Sequence, residues 1–146
     1  MLFRSLLRNI AEYKGITFIT HLPDHALVTG DANMLSTVIR NLLTNAIKFT
    51  PAGGTVTLNV FPTSPVSPVS YTVSISDTGV GMSEEQIRNL FRLDMPQTHL
   101  GTAGEQGSGL GLIICREFVE KHGSELHVES EAGKGSKFWF ELNSNP

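Results

Sequence analysis

Apolar residues along the chain recur with two different periods, which separates helices from strands. A short amphipathic helix is predicted over 2–14, because apolar residues there are spaced by four, four and three positions before Gly15. They are Leu2, Leu6, Ile10 and Tyr13. Alternation with a period of two predicts strands instead. These cover 16–22, 26–30, 55–61, 71–77, 124–130 and 136–142.

Polar start signals place the remaining helices. Asp31 is a good N-cap, and the helix that it begins is predicted to run to about Phe49. Ser83 and Gln86 have the spacing of a capping box, which predicts that a short helix begins at Ser83. A further helix is predicted over 110–123, where a glycine ends it.

The order of these elements defines the fold class. A proline- and serine-rich loop, 62–69, joins two neighbouring strands into a hairpin with a long connection. Helices mixed with adjacent hairpins favour an α+β fold, a two-layer α/β sandwich, over a parallel doubly wound sheet. With 146 residues and no internal repeat, the sequence predicts a single domain over 1–146.

Composition narrows the class of protein. Hydrophobic residues make up 40% and charged residues 17%, which suits a folded domain rather than a disordered chain. A net charge of −3 without a basic stripe argues against nucleic-acid binding. The single cysteine, Cys115, excludes an internal disulfide and suits a reducing compartment. With neither a membrane-length apolar run nor a signal peptide, we expect a cytoplasmic domain without membrane contact.

One face of the long helix carries amides instead of the usual charged residues. Asn41, Asn45 and Lys48 fall within about 60° of one another at 100° per residue, opposite the apolar side. Amide oxygens are suitable ligands for Mg²⁺, and a lysine supplies a point charge for phosphate. The alternative is an ordinary solvated helix face.

Two glycine-rich stretches are the other candidates. DTGVGM, 77–82, follows a predicted strand, and its glycines allow a flat ligand to approach the backbone. Asp77 in it can accept a hydrogen bond from an exocyclic amine such as that of adenine. GEQGSGLGL, 104–112, precedes a helix whose N–H groups can bind phosphate, although it fits neither common phosphate fingerprint. The alternatives are a strand-to-helix turn and a flexible linker.

Together these stretches resemble a known family. NLLTNAIKF, DTGVGM, LF and GSGLGL resemble, in order, the N, G1, F and G2 boxes of the catalytic, ATP-binding domain of sensor histidine kinases. GD before the long helix and GKGSKFWFEL at the last strand also match in place. The resemblance implies a mixed, mostly antiparallel sheet packed on three helices, with ATP between the long helix and a mobile lid. It also implies that 1–14 is a linker helix from a missing dimerisation domain.

The resemblance implies a metal and phosphate side of the site. Asn45 matches the principal Mg²⁺ ligand, with Asn41 beside it and Lys48 near the phosphates of ATP. Arg92 matches a position that can reach a phosphate. The phosphate-binding G2 residues are Gly107, Ser108, Gly109, Leu110 and Gly111.

It also implies a base side. Asp77 matches the residue that binds the adenine amino group, and Gly79 and Gly81 pass the backbone close to the base. Met82 belongs to the same box, and Ser136 stands near the adenine where the family often has threonine.

Two features depart from the family pattern. The F box has Phe91 followed by Asp94, where a second aromatic residue is usual after a proline. No histidine has the context of a phosphoacceptor, so we interpret all of them as structural or surface residues, with a nucleotide contact considered only for the one in the lid, His99. The others are His21, His25, His122 and His127.

The implied chemistry turns on Asn41. Hydrolysing members of the superfamily place a glutamate there, whereas an amide cannot act as a general base at neutral pH. This favours transfer of the γ-phosphate to a histidine on a separate dimerisation and phosphotransfer domain, and then to a response-regulator receiver domain. The alternatives are a serine kinase of the anti-sigma-factor type and a nucleotide-sensing domain without turnover. Residues 94–106 are expected to be a lid that Mg-ATP protects from proteolysis.

Overall fold

In this computed structural model, which describes residues 2–64, 69–92, 101–103 and 110–144, helices and strands are mixed along the chain. The helices are α1 (Leu2–Lys14), α2 (Ala32–Lys48), α3 (Glu84–Arg88) and α4 (Gly111–Lys121). The strands are β1 (Thr17–His21), β2 (Thr55–Ser64), β3 (Ser70–Asp77), β4 (His127–Glu131) and β5 (Gly135–Asn143). Within these described ranges, no helix is long and apolar enough to cross a lipid bilayer.

The strands form one mixed sheet in the order β1-β2-β3-β5-β4. β1 pairs with β2 in parallel, and the other neighbours pair antiparallel. The predicted α+β class and the mostly antiparallel sheet are therefore confirmed.

A helical layer covers one face of this sheet. Leu7 and Ala11 of α1, together with Cys115 and Val119 of α4, join the buried side of α2 in a single core. The residues of α2 in this core are Leu35, Val38, Leu42, Leu43, Ala46 and Ile47. The sheet contributes Phe18, Val56, Leu58, Val73, Ile75, Phe138, Phe140 and Leu142. Three helices thus pack on the sheet as predicted, and α3 lies near β4.

The caps read from the sequence form as predicted. The Asp31 side chain accepts a hydrogen bond from Met34 N at 3.0 Å and begins α2. Ser83 and Gln86 form a reciprocal capping box at the start of α3. After α4, Gly123 takes a φ of 73°, which a glycine adopts without strain.

The strand predicted over 26–30 is not formed. Among the residues that the structure describes, one backbone hydrogen bond, from Thr29 N to Asn143 O at 2.9 Å, joins this segment to the end of β5. A ladder needs such bonds repeated along both chains. The segment therefore crosses the end of the sheet as irregular chain.

The predicted loop over 62–69 begins too early. β2 continues through Ser64, and Pro62 lies opposite Tyr71 with a register shift next to it. A proline is tolerated at such an irregularity because its missing N–H leaves no ladder bond unmade. The sequence did not predict this pairing because a proline such as Pro62 usually interrupts a strand.

Candidate functional site

The polar stripe of α2 lies at the rim of the helical layer. Asn41, Asn45 and Lys48 are each half-buried, while the opposite side of the helix is in the core. The Asn45 side chain makes no hydrogen bond or ion pair with any residue that the structure describes. Its amide oxygen is therefore available to a ligand.

Asn41 lies where α2 meets the start of α4. A Cβ added to Gly111 would lie 3.7 Å from Asn41 Oδ1, so the first turn of α4 passes close to the amide. The buried Cys115 thiol of α4 also contacts Asn41, and its Sγ donates to Val38 O at 3.7 Å. Burial raises the pKa of this thiol to about 12, while its hydrogen bond with Asn41 acts in the opposite direction. The thiol is therefore protonated at neutral pH.

The C-terminal end of α2 is held by two other parts of the chain. Lys14 Nζ donates to Ile47 O at 2.9 Å and to Lys48 O at 3.0 Å. Thr102 N donates to the same Lys48 oxygen at 3.0 Å. The Lys48 ammonium lies 5.0 Å from the centre of the Phe49 ring. Lys14 Nζ and Thr102 N thus satisfy backbone carbonyls that the end of a helix leaves without an intrahelical partner.

Asp77 ends β3 on the helix-facing side of the sheet. Its Oδ1 accepts hydrogen bonds from Gly79 N at 2.8 Å and from Ser136 N at 3.3 Å. Oδ2 accepts none from the described residues and reaches solvent. Burial raises the pKa of Asp77, and the two backbone N–H bonds oppose that shift. One carboxylate oxygen is thus fixed and the other faces the site.

The two glycines of the loop after Asp77 lie too close to neighbouring backbone to carry side chains. A Cβ at Gly79 would overlap Phe49 O, whose oxygen accepts a hydrogen bond from Val80 N at 3.1 Å. At Gly81, where φ is 67°, a Cβ would overlap Glu131 O. Both glycines are therefore required by close backbone approach.

Ser130 is a residue that sequence reasoning missed. Its Oγ accepts from Met82 N at 2.9 Å, donates to Gly135 O at 2.9 Å and lies 2.8 Å from Ser136 Oγ. It therefore connects the Asp77 loop to the predicted base-side serine. Its alternation with Val128 in β4 was visible in the sequence, but its cross-strand partners were not.

The remaining predicted residues that the structure describes lie at the surface or at the edge of the core. Arg92 is exposed and donates to Asn89 Oδ1 at 3.2 Å, and Met82 packs at the edge of the core. Leu110 caps α4 without a side-chain hydrogen bond to the helix. Several predicted positions lie outside the described residues. They are Gly107, Ser108, Gly109, His99 and, within the predicted lid, 94–100 and 104–106.

The histidines that the structure describes have structural or surface places. His122 Nε2 accepts a hydrogen bond from Asp31 N at 2.9 Å, and the His127 ring stacks on Trp139 at 5.2 Å between centroids. His21 and His25 are exposed. Among the described residues, no group of three or more His, Cys, Asp or Glu side chains could hold a metal. The amide stripe, whose oxygens are hard neutral ligands, nevertheless fits Mg²⁺.

Comparisons with known proteins identify the family of this chain. Residues 30–146 match the family of histidine kinase-, DNA gyrase B- and HSP90-like ATPases. The chain is 36% identical to sensor histidine kinase GacS of Pseudomonas protegens over 116 residues, 80% of this chain and 13% of GacS. It is 39% identical to adaptive-response sensory kinase SasA of Synechococcus sp. (strain JA-3-3Ab) over 136 residues, 90% of this chain and 34% of SasA. The chain therefore spans between about an eighth and a third of these relatives.

Solved structures give the same class. The catalytic domain of histidine kinase ThkA superposes with a TM-score of 0.77 at 26% identity, covering 99% of this chain and 91% of that one. Full-length ShkA, solved in complex with AMPPNP, superposes with a TM-score of 0.71 at 29% identity, covering 97% of this chain and 28% of ShkA. The chain belongs to the histidine kinase-, DNA gyrase B- and HSP90-like ATPase family, as an ATP-binding domain of the histidine kinase type.

Proposed function

We propose that this domain binds Mg-ATP between α2 and the Asp77 end of the sheet and transfers the γ-phosphate to a histidine. The observation that carries the proposal is the line of Asn41, Asn45 and Lys48, with the start of α4 against Asn41. A helix N-terminus favours negative charge, and Lys48 adds a cation at the far end of the line. The two amides, the lysine and the helix N-terminus together suit a polyphosphate.

At the base end, the loop after Asp77 contacts the C-terminal cap of α2 through the hydrogen bond from Val80 N to Phe49 O. Asp77 Oδ2, the oxygen left free by the backbone N–H groups of Gly79 and Ser136, accepts from the exocyclic amine of adenine. Gly79 and Gly81 let the loop after Asp77 pack closely against Phe49 O and Glu131 O, which holds this loop beside the carboxylate. ShkA, whose structure holds AMPPNP, supports a nucleotide in this fold.

Asn45 and Asn41 would hold Mg²⁺ through their amide oxygens, and the ion would supply neutralisation of phosphate charge. This chain's own contribution is positioning. Lys48 and the first N–H groups of α4 hold the phosphates, while Asn41 cannot remove a proton from water. ATP is therefore kept intact for a nucleophile that arrives from another domain.

The acceptor in this proposal is a histidine on the dimerisation and phosphotransfer domain of the same cytoplasmic protein. The phosphate then passes to an aspartate of a response-regulator receiver domain. The multidomain length of the relatives supports such a partner, since the chain spans only 13% of GacS. The imidazole attacks the γ-phosphorus in line, the bond to the β-phosphate oxygen breaks, and ADP leaves with that electron pair.

Calorimetric titration with Mg-ATP tests the nucleotide site. Asn45→Ala should abolish measurable binding, because it removes the amide without touching the core. Asn33→Ala is the matched control, since Asn33 lies on the same helix about 18 Å along its axis and is exposed. Unchanged affinity in Asn45→Ala, or no binding by the wild type, contradicts the proposed site.

A phosphotransfer assay tests the acceptor. The domain is mixed with labelled ATP and a separately produced histidine-bearing dimerisation domain. Labelling that is lost in acid and kept in alkali supports phosphohistidine. Acid-stable labelling of a serine substrate would support the anti-sigma-factor type of kinase instead, and binding without transfer would support a nucleotide sensor.

A further inference from the structure

Ser130 has no assigned role, yet it occupies the centre of a hydrogen-bond network behind the base end of the site. Its hydroxyl contacts three groups: Met82 N at 2.9 Å, Gly135 O at 2.9 Å and Ser136 Oγ at 2.8 Å. The side chain is half-buried at the end of β4. Three partners are the full capacity of one hydroxyl group, which has one proton and two lone pairs.

The distance between the two serine hydroxyls allows either to donate, and the directions follow when Ser130 makes all three hydrogen bonds at once. Gly135 O is a carbonyl and can only accept, so the proton of Ser130 goes to it. Met82 N–H donates to one lone pair of Ser130. The remaining lone pair accepts the proton of Ser136. Ser136 has thereby used its only proton and can offer nothing but lone pairs to a ligand.

Ser136 lies beside the carboxylate that is the proposed base receptor. It pairs with Asp77 in the register between β3 and β5, and its N–H donates to Asp77 Oδ1 at 3.3 Å. Both residues lie on the helix-facing side of the sheet. An ionised carboxylate also accepts only. The two side chains therefore form an edge made of acceptors.

We propose that Ser130 is a positioning residue that fixes Ser136 as a hydrogen-bond acceptor and thereby makes the site prefer 6-aminopurines over 6-oxopurines. The inference rests on the proposed function, in which Asp77 receives the base. A 6-amino group presents N–H donors directly to this edge, whereas a 6-oxopurine bound in the same orientation presents an oxygen to the acceptors and must shift to offer its N1–H instead. Without Ser130, the Ser136 hydroxyl is free to rotate and donate to that oxygen.

The test compares the affinities of ATP and inosine triphosphate, measured by calorimetry on the whole domain with Mg²⁺. Ser130→Ala should reduce the preference for ATP by about five- to tenfold, the worth of one correctly directed hydrogen bond. Ser124→Ala is the matched control, because Ser124 Oγ, like Ser130 Oγ, accepts from a backbone N–H, here that of Glu141 in β5, far from the base end. It should leave the ratio unchanged.

A double-mutant cycle separates this role from general support of the fold. If Ser130 acts through Ser136, Ser130→Ala should change the ratio little once Ser136→Ala is present. Ser130→Thr, which keeps the hydroxyl, should retain the wild-type ratio. Should Ser130→Ala fail to fold, Ser130→Cys carries the same prediction, because a thiol is a weaker donor and acceptor of similar size.

The outcomes are distinct. Absence of ATP binding in the wild type defeats the proposed function. ATP binding with an unaltered ratio in folded Ser130→Ala, or equal effects of that change with and without the Ser136 hydroxyl, overturns the role of Ser130 alone.

Discussion

Replacing Asp77 by asparagine should separate binding from stability. Asparagine has the same shape, and its Oδ1 can still accept from Gly79 N and Ser136 N. Those two donors fix which way the amide points, so the new NH₂ group takes the place of Oδ2. A donor then faces the adenine amine, which is also a donor.

The loss in affinity follows from the hydrogen bond removed. A bond to a charged group contributes about 1.5–3 kcal/mol, so the Kd for Mg-ATP should rise about 10- to 150-fold. Stability should move the other way. Burial raises the pKa of Asp77, so the folded state holds this proton more tightly than the unfolded chain. Above that raised pKa the charge costs stability, and Asp77→Asn removes the cost.

The pH dependence of stability tests whether the charge of Asp77 destabilises the folded state. Below the ordinary value of 3.8, the carboxyl is protonated in both the folded and the unfolded state, and the stability advantage of Asp77→Asn should vanish. Urea denaturation at several pH values measures stability, and calorimetry measures binding. Asp24→Asn, an exposed aspartate away from the sheet, serves as the control. A folded Asp77→Asn variant whose Kd for Mg-ATP stays within about threefold of the wild-type value would refute the role of Asp77 in binding adenine.

Three further changes have defined outcomes. On acidification, ATP affinity should begin to fall at a higher pH than an ordinary carboxyl would give, while Asp77→Asn shows no such titration in calorimetry. Gly81→Ala should cost about 1–2 kcal/mol for its φ of 67° and about 1–3 kcal/mol more for its backbone overlap. Gly53→Ala, with φ of 92° and open space, should show only the first cost in urea denaturation. Lys14→Met should lose about 1–3 kcal/mol through two hydrogen bonds to the end of α2, and equal stability would contradict this.

Local signals predicted most of the fold because they act within a few residues. Asp31 and the pair Ser83–Gln86 form their caps with neighbours three positions away, so their effect is visible in the sequence. The predicted strand over 26–30 failed because its composition says nothing about a free partner edge. The extension of β2 past Pro62 depended on Tyr71 opposite it.

The candidate site shows the same difference between local signals and contacts that form only on folding. Asn41, Asn45 and Lys48 share one helix, so helical geometry alone brings them into line. Ser130 joins Met82 N and Ser136 across two strands and a loop, and only the folded register brings these atoms together. The contact of Thr102 with Lys48 O is likewise invisible before folding, since 54 residues separate the two. Sequence reasoning thus singled out the members of the proposed site that share one element better than those that are joined across several elements.

The amide at position 41 also has a structural reason. Its neighbours are the buried Cys115 thiol and the closely packed start of α4. A carboxylate placed there would be partly desolvated beside a thiol that stays protonated at neutral pH, and burial would penalise its charge. A neutral amide avoids this penalty and still offers an oxygen to a metal and an N–H donor to its surroundings. An amide at this position also cannot take a proton from water, as a carboxylate there could. Packing and chemistry therefore favour the same residue, in a site that we propose holds ATP for transfer rather than hydrolysis.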